Sequence, residues 1–200
     1  MNLANKLTVF RMILVVVLVI VSLLNIQGAW LNIGISFWII NIIFSLASLT
    51  DQLDGYIARK RNEVTTFGKF LDPLADKILV LTTMIILVER GLIPAWIPII
   101  VLAREFIVSG YRLIAVEKGG KVIAASIWGK IKTVTQMIAI ILALFNINGT
   151  NIYGNFITGN LTGIELVVNV LTTSLLTISV IATIFSGWDY LNKGKELFKD

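Results

Sequence analysis

The chain has 200 residues, and none of them is cysteine or histidine. The lack of cysteine excludes disulfides, thiolate nucleophiles and zinc–thiolate sites. The lack of histidine leaves proton transfer to carboxylates, lysine, tyrosine or water. Any metal site should therefore consist of oxygen ligands, which favour Mg²⁺ or, as a close substitute, Mn²⁺.

Charged residues are also few. They make up 14% of the chain, whereas hydrophobic residues make up 56% and the mean hydropathy is +0.88. This composition predicts a membrane protein. The net charge is +5, but no basic stripe is interleaved with aromatic residues. We therefore expect the chain to contact a lipid bilayer and to bind no nucleic acid.

Long apolar runs follow one another along the chain, and a helix needs roughly 20 such residues to cross a bilayer. A signal peptide is the alternative for the first run, which is too long for the apolar core of one. We predict an all-α fold, one domain over residues 1–200, with six transmembrane helices at 7–26, 33–57, 70–88, 95–116, 127–145 and 164–185.

The basic residues fall mainly on the side of these helices where the amino terminus lies. By the positive-inside rule, this side faces the cytoplasm, as do both termini, in a multi-pass protein of the cell membrane. The residues on this side are Lys6, Arg11, Arg59, Lys60, Arg61, Lys118, Lys121, Lys130, Lys132, Lys193, Lys195 and Lys199.

Four aspartates lie near the cytoplasmic ends of the second and third predicted helices. Carboxylates beside apolar runs are costly near lipid, so they indicate a functional site. Helical spacing places them on two stripes with small residues and one arginine. The first stripe is Asp51, Asp54, Gly55, Ala58 and Arg59, and the second is Gly68, Asp72 and Asp76. Two facing stripes of this kind predict a metal site with room for a bulky ligand, open to the cytoplasm.

Each aspartate also has a structural explanation. Asp72 before Pro73 fits a helix N-cap, and Asp76 would then be a first-turn carboxylate that the helix dipole favours. The earlier pair could be solvated groups at the membrane edge. Taken together, these explanations do not account for the glycines, Ala58 and Arg59 on the same stripes.

The frame Asp51-x-x-Asp54-Gly55-x-x-Ala58-Arg59, followed after eight residues by Gly68-x-x-x-Asp72-x-x-x-Asp76, resembles the signature of the CDP-alcohol phosphotransferases at every defining position. These are six-helix membrane enzymes of phospholipid synthesis. The resemblance implies that a CDP-linked lipid gives its phosphatidyl group to an alcohol and that CMP leaves.

The resemblance also implies roles for the motif residues. The four aspartates would bind Mg²⁺, and Asp76 would be the general base for the acceptor hydroxyl. The CDP-lipid would contact Asp51, Gly55, Ala58, Arg59 and Gly68, because small residues let a ligand approach the backbone. Homodimers are usual in the family, so we expect a homodimer.

The acceptor site should lie outside the shared motif. Arg104 and Arg112 lie within about 80° of each other on the fourth helix, and Lys130 and Lys132 begin the fifth helix from the same side. Such a cluster suits a phosphorylated acceptor. Snorkelling to the membrane surface explains Lys132 equally well, but it explains Arg104 less well because Arg104 lies inside an apolar run.

Residues 5–11 and 129–133 resemble the branch of this family that makes phosphatidylglycerophosphate. The implied substrates are CDP-diacylglycerol and sn-glycerol 3-phosphate. In the first helix Asn5, Thr8 and Arg11 recur every three residues. We assign Thr8 to the CDP-lipid and Arg11 to the acceptor phosphate, with helix capping as the competing explanation for Asn5 and Thr8.

Three other functions stay open at this point. The same chemistry could use another alcohol, such as inositol phosphate. A divalent-cation transporter would also use aspartates, but nearer the middle of the membrane. A membrane scaffold without catalysis would not need the aspartates at all.

Overall fold

A computed structural model describes residues 3–24, 26–61, 66–117, 127–145, 151–154, 161 and 163–193. The description does not include the side chains of residues 3, 4, 51–61, 66, 67, 69, 70, 116, 117 and 193.

The described part of the chain is almost entirely helical, which confirms the predicted fold class. Its long helices coincide with the six predicted apolar runs. They are α1 (Leu3–Leu24), α2 (Ile35–Arg61), α3 (Thr66–Glu89), α4 (Trp96–Glu117), α5 (Ile127–Leu144) and α6 (Gly163–Lys193). Strands β1 (Ala29–Trp30) and β2 (Ile33–Gly34) pair antiparallel between α1 and α2.

Three described segments are long and apolar enough to cross a membrane, namely Asn5–Leu24, Ile127–Leu144 and Gly163–Asn192. Ile35–Thr50 is a shorter apolar helix. These segments support a membrane protein, while the count of six membrane spans and the orientation of the termini stay predictions.

Helix α3 begins earlier than the apolar run that predicted it. It starts at Thr66, so Pro73 lies inside the helix and Asp72 is more than one turn from its start. The N-cap explanation for Asp72 is therefore wrong. Proline has no N–H to donate to the carbonyl of residue 69, which weakens the helix next to the two aspartates.

The helices pack mainly in two groups of three. Helix α1 packs against α2 and α3, and α6 packs against α4 and α5. The core between them is apolar and includes Leu18, Phe44, Leu79, Ile140 and Leu176, all fully buried. Large apolar side chains also point outward, and the exposed fractions of Phe106 and Leu113 are 70% and 71%. Such outward faces suit lipid better than water.

Candidate active site

Two buried polar side chains of helix α1 contact the two helices that carry the predicted acidic site. Thr8 is fully buried, and its hydroxyl donates a hydrogen bond of 2.5 Å to Oδ1 of Asp72 on α3. Arg11 is also fully buried, and its Nε donates to the carbonyl oxygen of Ala47 on α2 at 3.3 Å. Thr8 and Arg11 therefore connect α1 to both helices that carry the aspartates.

These contacts also show which part of α2 faces Asp72. The short hairpin between α1 and α2 makes the two helices antiparallel, and Arg11 lies opposite Ala47. Thr8 precedes Arg11 by about one turn, so it lies opposite about residue 50 of α2. The backbone of α2 near Asp51 is thus level with the hydrogen bond between Thr8 and Asp72.

On α3 the second acidic stripe has the predicted spacing. Asp72 and Asp76 lie one turn apart, both are half-buried, and Gly68 one turn earlier is buried. The chemistry of this donor set fits a hard divalent cation. Among the described side chains, no group of three or more acidic residues comes together.

The first stripe occupies the last turns of α2, but its side chains lie outside the described part of the structure. The four-carboxylate metal site therefore stays a prediction, as do the proposed contacts of the CDP-lipid with this stripe. The residues concerned are Asp51, Asp54, Gly55, Ala58 and Arg59.

Next to Asp76 a cavity of about 130 Å³ opens between α3, α4 and α5. Asp76 and Lys77 of α3, Arg104 of α4 and Lys132 of α5 all line it. The structure therefore brings the predicted general base together with two of the residues predicted to bind the acceptor phosphate.

Glu105 of α4 binds three cations at this cavity. Its Oε1 accepts hydrogen bonds from Nζ of Lys132 at 2.6 Å and from Nη1 of Arg104 at 2.7 Å. Its Oε2 lies 3.4 Å from Nζ of Lys77, which also donates to Ser109 at 2.6 Å. A single carboxylate therefore links α3, α4 and α5 at the cavity wall.

A second cavity of about 510 Å³ shares Arg104 and Thr133 with the first, so the two cavities adjoin. Arg112 and Lys130 line the second cavity, and both are exposed. Four of the five predicted phosphate-binding residues thus line a continuous depression between α3, α4, α5 and α6. The fifth, Arg11, lies on α1, and its Nε donates to the backbone of α2.

Helix α6 supplies partners that the sequence alone did not identify. Nη2 of Arg104 donates to Ser186 at 2.6 Å, and Nη2 of Arg112 donates to the hydroxyl of Tyr190 at 2.7 Å. The Tyr190 ring lies under both guanidinium groups, 5.9 Å from Arg104 and 5.5 Å from Arg112. Ser186 and Tyr190 are one turn apart on α6, and that spacing is the signal that could have identified them.

The whole chain is similar to known proteins of one family. Residues 1–186 match the family model described as CDP-alcohol phosphatidyltransferase. Relatives named CDP-diacylglycerol–glycerol-3-phosphate 3-phosphatidyltransferase occur in several bacteria. The Bacillus subtilis protein is 41% identical, covering 99% of this chain and 97% of the relative. The Haemophilus influenzae protein is 37% identical, and the match covers 97% of this chain and 94% of the relative. The Rickettsia bellii protein is 34% identical, and the match covers 98% of this chain and 97% of the relative.

The family model covers most of the chain, the relatives match over nearly their whole length, and the motif residue Asp76 lines a cavity together with three cations. The chain belongs to the CDP-alcohol phosphatidyltransferase family.

Proposed function

We propose that this protein transfers the phosphatidyl group of CDP-diacylglycerol to sn-glycerol 3-phosphate, giving phosphatidylglycerophosphate and CMP in phospholipid synthesis. One structural feature supports this proposal above all. Asp76 lines the same cavity as Arg104 and Lys132. A phosphate bound by these cations would leave the hydroxyl end of a small acceptor near a carboxylate that can take its proton.

The reaction then follows from the positions of these residues. The cations bind the acceptor phosphate and orient its free hydroxyl toward Asp76. As the hydroxyl oxygen forms a bond to the lipid-linked phosphorus, its proton passes to the Asp76 carboxylate. The bond between that phosphorus and the CMP oxygen breaks, and CMP leaves. Positioning and charge neutralisation are the main requirements of such a transfer.

We propose that Asp51, Asp54, Asp72 and Asp76 hold Mg²⁺, with Mn²⁺ as a substitute. When bound, the cation would neutralise the pyrophosphate of the CDP-lipid. Gly55, Ala58, Arg59 and Gly68 would contact the nucleotide next to it. Thr8 donates a hydrogen bond to Asp72, which orients this carboxylate, and Thr8 would contact the same CDP-lipid.

We further propose six membrane spans with both termini and the active site on the cytoplasmic side of the cell membrane. Basic residues begin α1 and α5 and end α2. The chain contains no cysteine. Single cysteines placed at Lys6 and at Asn151, on opposite predicted sides, can therefore be labelled in whole cells with a membrane-impermeant maleimide. Labelling of Lys6→Cys from outside would contradict this orientation.

The protein is also proposed to be a homodimer. The assay is light scattering of the purified protein in detergent, corrected for bound detergent. A monomer at all protein concentrations tested would contradict this proposal.

The reaction is tested with purified protein in mixed micelles that contain CDP-diacylglycerol and Mg²⁺. Glycerol 3-phosphate, inositol phosphate and glycerol are supplied in separate reactions, and CMP and the lipid product are measured. We expect CMP and phosphatidylglycerophosphate with glycerol 3-phosphate. CMP release with inositol phosphate but not with glycerol 3-phosphate would refute the acceptor assignment. Divalent-cation flux into proteoliposomes without CMP formation would refute the enzyme assignment.

A further inference from the structure

We infer that Glu105 is a positioning residue for the acceptor phosphate and that Lys77 belongs to the cations that bind this phosphate. This inference depends on the proposed function, since it concerns the acceptor site of the same reaction. Neither residue is part of the eight-position motif. Both line the cavity next to Asp76.

The positions of the three cations depend on Glu105. Lys77 is on α3, Arg104 is on α4 and Lys132 is on α5, and each contacts the Glu105 carboxylate at 2.6–3.4 Å. Without a carboxylate between them, three positive groups at such short range would repel one another. Glu105 therefore allows the cations to converge on one cavity.

Each cation keeps hydrogen-bond donors that Glu105 does not use. An ammonium group has three N–H donors and a guanidinium group has five. Lys132 uses one donor for Glu105. In the part of the chain that the structure describes, the buried Nε of Arg104 has no hydrogen-bond partner. A phosphate in the cavity can thus bind these cations while they remain in contact with Glu105.

The charge at this cavity also suits a phosphate monoester. The charged groups that line the first cavity have a net charge of +1. Three cations, Lys77, Arg104 and Lys132, face two carboxylates, Glu105 and Asp76. Arg112 and Lys130 in the adjoining cavity raise the excess to three. A dianionic phosphate reduces this excess, whereas an uncharged alcohol does not, so the cluster selects a phosphorylated acceptor.

The test is Glu105→Gln, which keeps the shape of the side chain and removes its charge. We expect the KM for glycerol 3-phosphate to rise about tenfold or more, since hydrogen bonds between charged groups are lost. The kcat and the KM for CDP-diacylglycerol should stay close to those of the wild type. Glu105→Asp keeps the charge on a shorter stem and should restore part of the affinity. Lys77→Gln should raise the same KM.

The matched control is Glu89→Gln. Glu89 is an exposed carboxylate at the other end of α3, so its neutralisation changes the net charge equally without touching the cluster. Its KM values should equal those of the wild type. As a second measurement, glycerol 3-phosphate should raise the Tm of the wild type and of Glu89→Gln, but not that of Glu105→Gln. If Glu105→Gln does not fold, Glu105→Asp and Lys77→Gln provide the same comparison.

Two results would overturn the inference. A lower KM for glycerol 3-phosphate in Glu105→Gln would mean that Glu105 competes with the phosphate. A fall in kcat or in Tm alone, with both KM values unchanged, would mean that Glu105 only joins helices. Either result leaves the proposed function intact, whereas a wild-type protein inactive with glycerol 3-phosphate would refute the proposed function itself.

Discussion

The hydrogen bond from Thr8 to Asp72 allows a sharp test of the proposed metal site. Thr8→Val replaces the hydroxyl with a methyl group of nearly the same size in a fully buried position. Asp72 then loses a donor that holds its carboxylate in one orientation. We expect the variant to fold and to require more Mg²⁺ for activity, because a metal ligand that is no longer held in place binds more weakly.

The size of the effect follows from the surroundings of the bond. Hydrogen bonds to charged groups contribute about 1.5–3 kcal/mol. Asp72 is half-buried, so water can replace part of the lost contact and the lower end of this range applies. A loss of about 1.5 kcal/mol corresponds to a rise of roughly tenfold in the Mg²⁺ concentration that gives half-maximal activity.

The assay measures CMP release against Mg²⁺ concentration, with both substrates saturating. The control is Thr83→Val on α3, because Thr83 is also fully buried but its hydroxyl donates only to the carbonyl of Leu79 in its own helix, at 2.9 Å. Thr83→Val should keep the wild-type Mg²⁺ dependence. Equal Mg²⁺ curves for the two variants would refute the reasoning, as would a lower Mg²⁺ requirement in Thr8→Val.

Three further outcomes are expected. Asp76→Asn should lower kcat by about 10²–10⁴, the usual contribution of a general base, and a kcat within a few fold of the wild type would exclude that role. Tyr190→Phe removes the acceptor of the Arg112 hydrogen bond but keeps the ring under it, so the KM for glycerol 3-phosphate should rise about two- to tenfold. Chelation with EDTA should abolish CMP release, and Mg²⁺ or Mn²⁺ should restore it; activity that survives exhaustive chelation would exclude a metal requirement.

The sequence predicts the six helices well and their ends less well. Helix α3 begins at Thr66 although its apolar run begins at residue 70, and α6 continues to Lys193 although its run ends at residue 185. Hydropathy shows where side chains leave the lipid, whereas helical hydrogen bonds continue beyond that point. The polar extensions matter because Asp72, Ser186 and Tyr190 lie close to these ends.

The site was partly predictable for a similar reason. Asp76, Arg104 and Lys132 stand out because charge in an apolar segment is costly and therefore noticeable. Ser186 and Tyr190 are uncharged and common in such helices, and they lie 82 and 78 residues from the arginines that they contact. Only the packing of α6 against α4 brings them together.

The role of Glu105 illustrates what helical periodicity cannot provide. Neighbouring residues on a helix point about 100° apart, so the pair Arg104 and Glu105 does not by itself predict a contact. In the structure Arg104 passes close to Gly187 of α6, where an added Cβ would lie 3.5 Å from Cγ of Arg104. That is an ordinary van der Waals distance, so α6 packs directly against the Arg104 stem at Gly187, and this packing places Ser186 within hydrogen-bond reach of Arg104.

The cavity itself results from how the helices pair. Helix α3 packs more extensively against α1 than against α4 or α5, and α5 packs mainly against α6. A gap therefore stays open between α3, α4 and α5 at the end that carries Asp76. Apolar side chains would close such a gap, because protein interiors pack densely. Here the ion pairs of Glu105 bridge it instead, so the groups that connect the helices are also the groups that we propose to bind the acceptor phosphate.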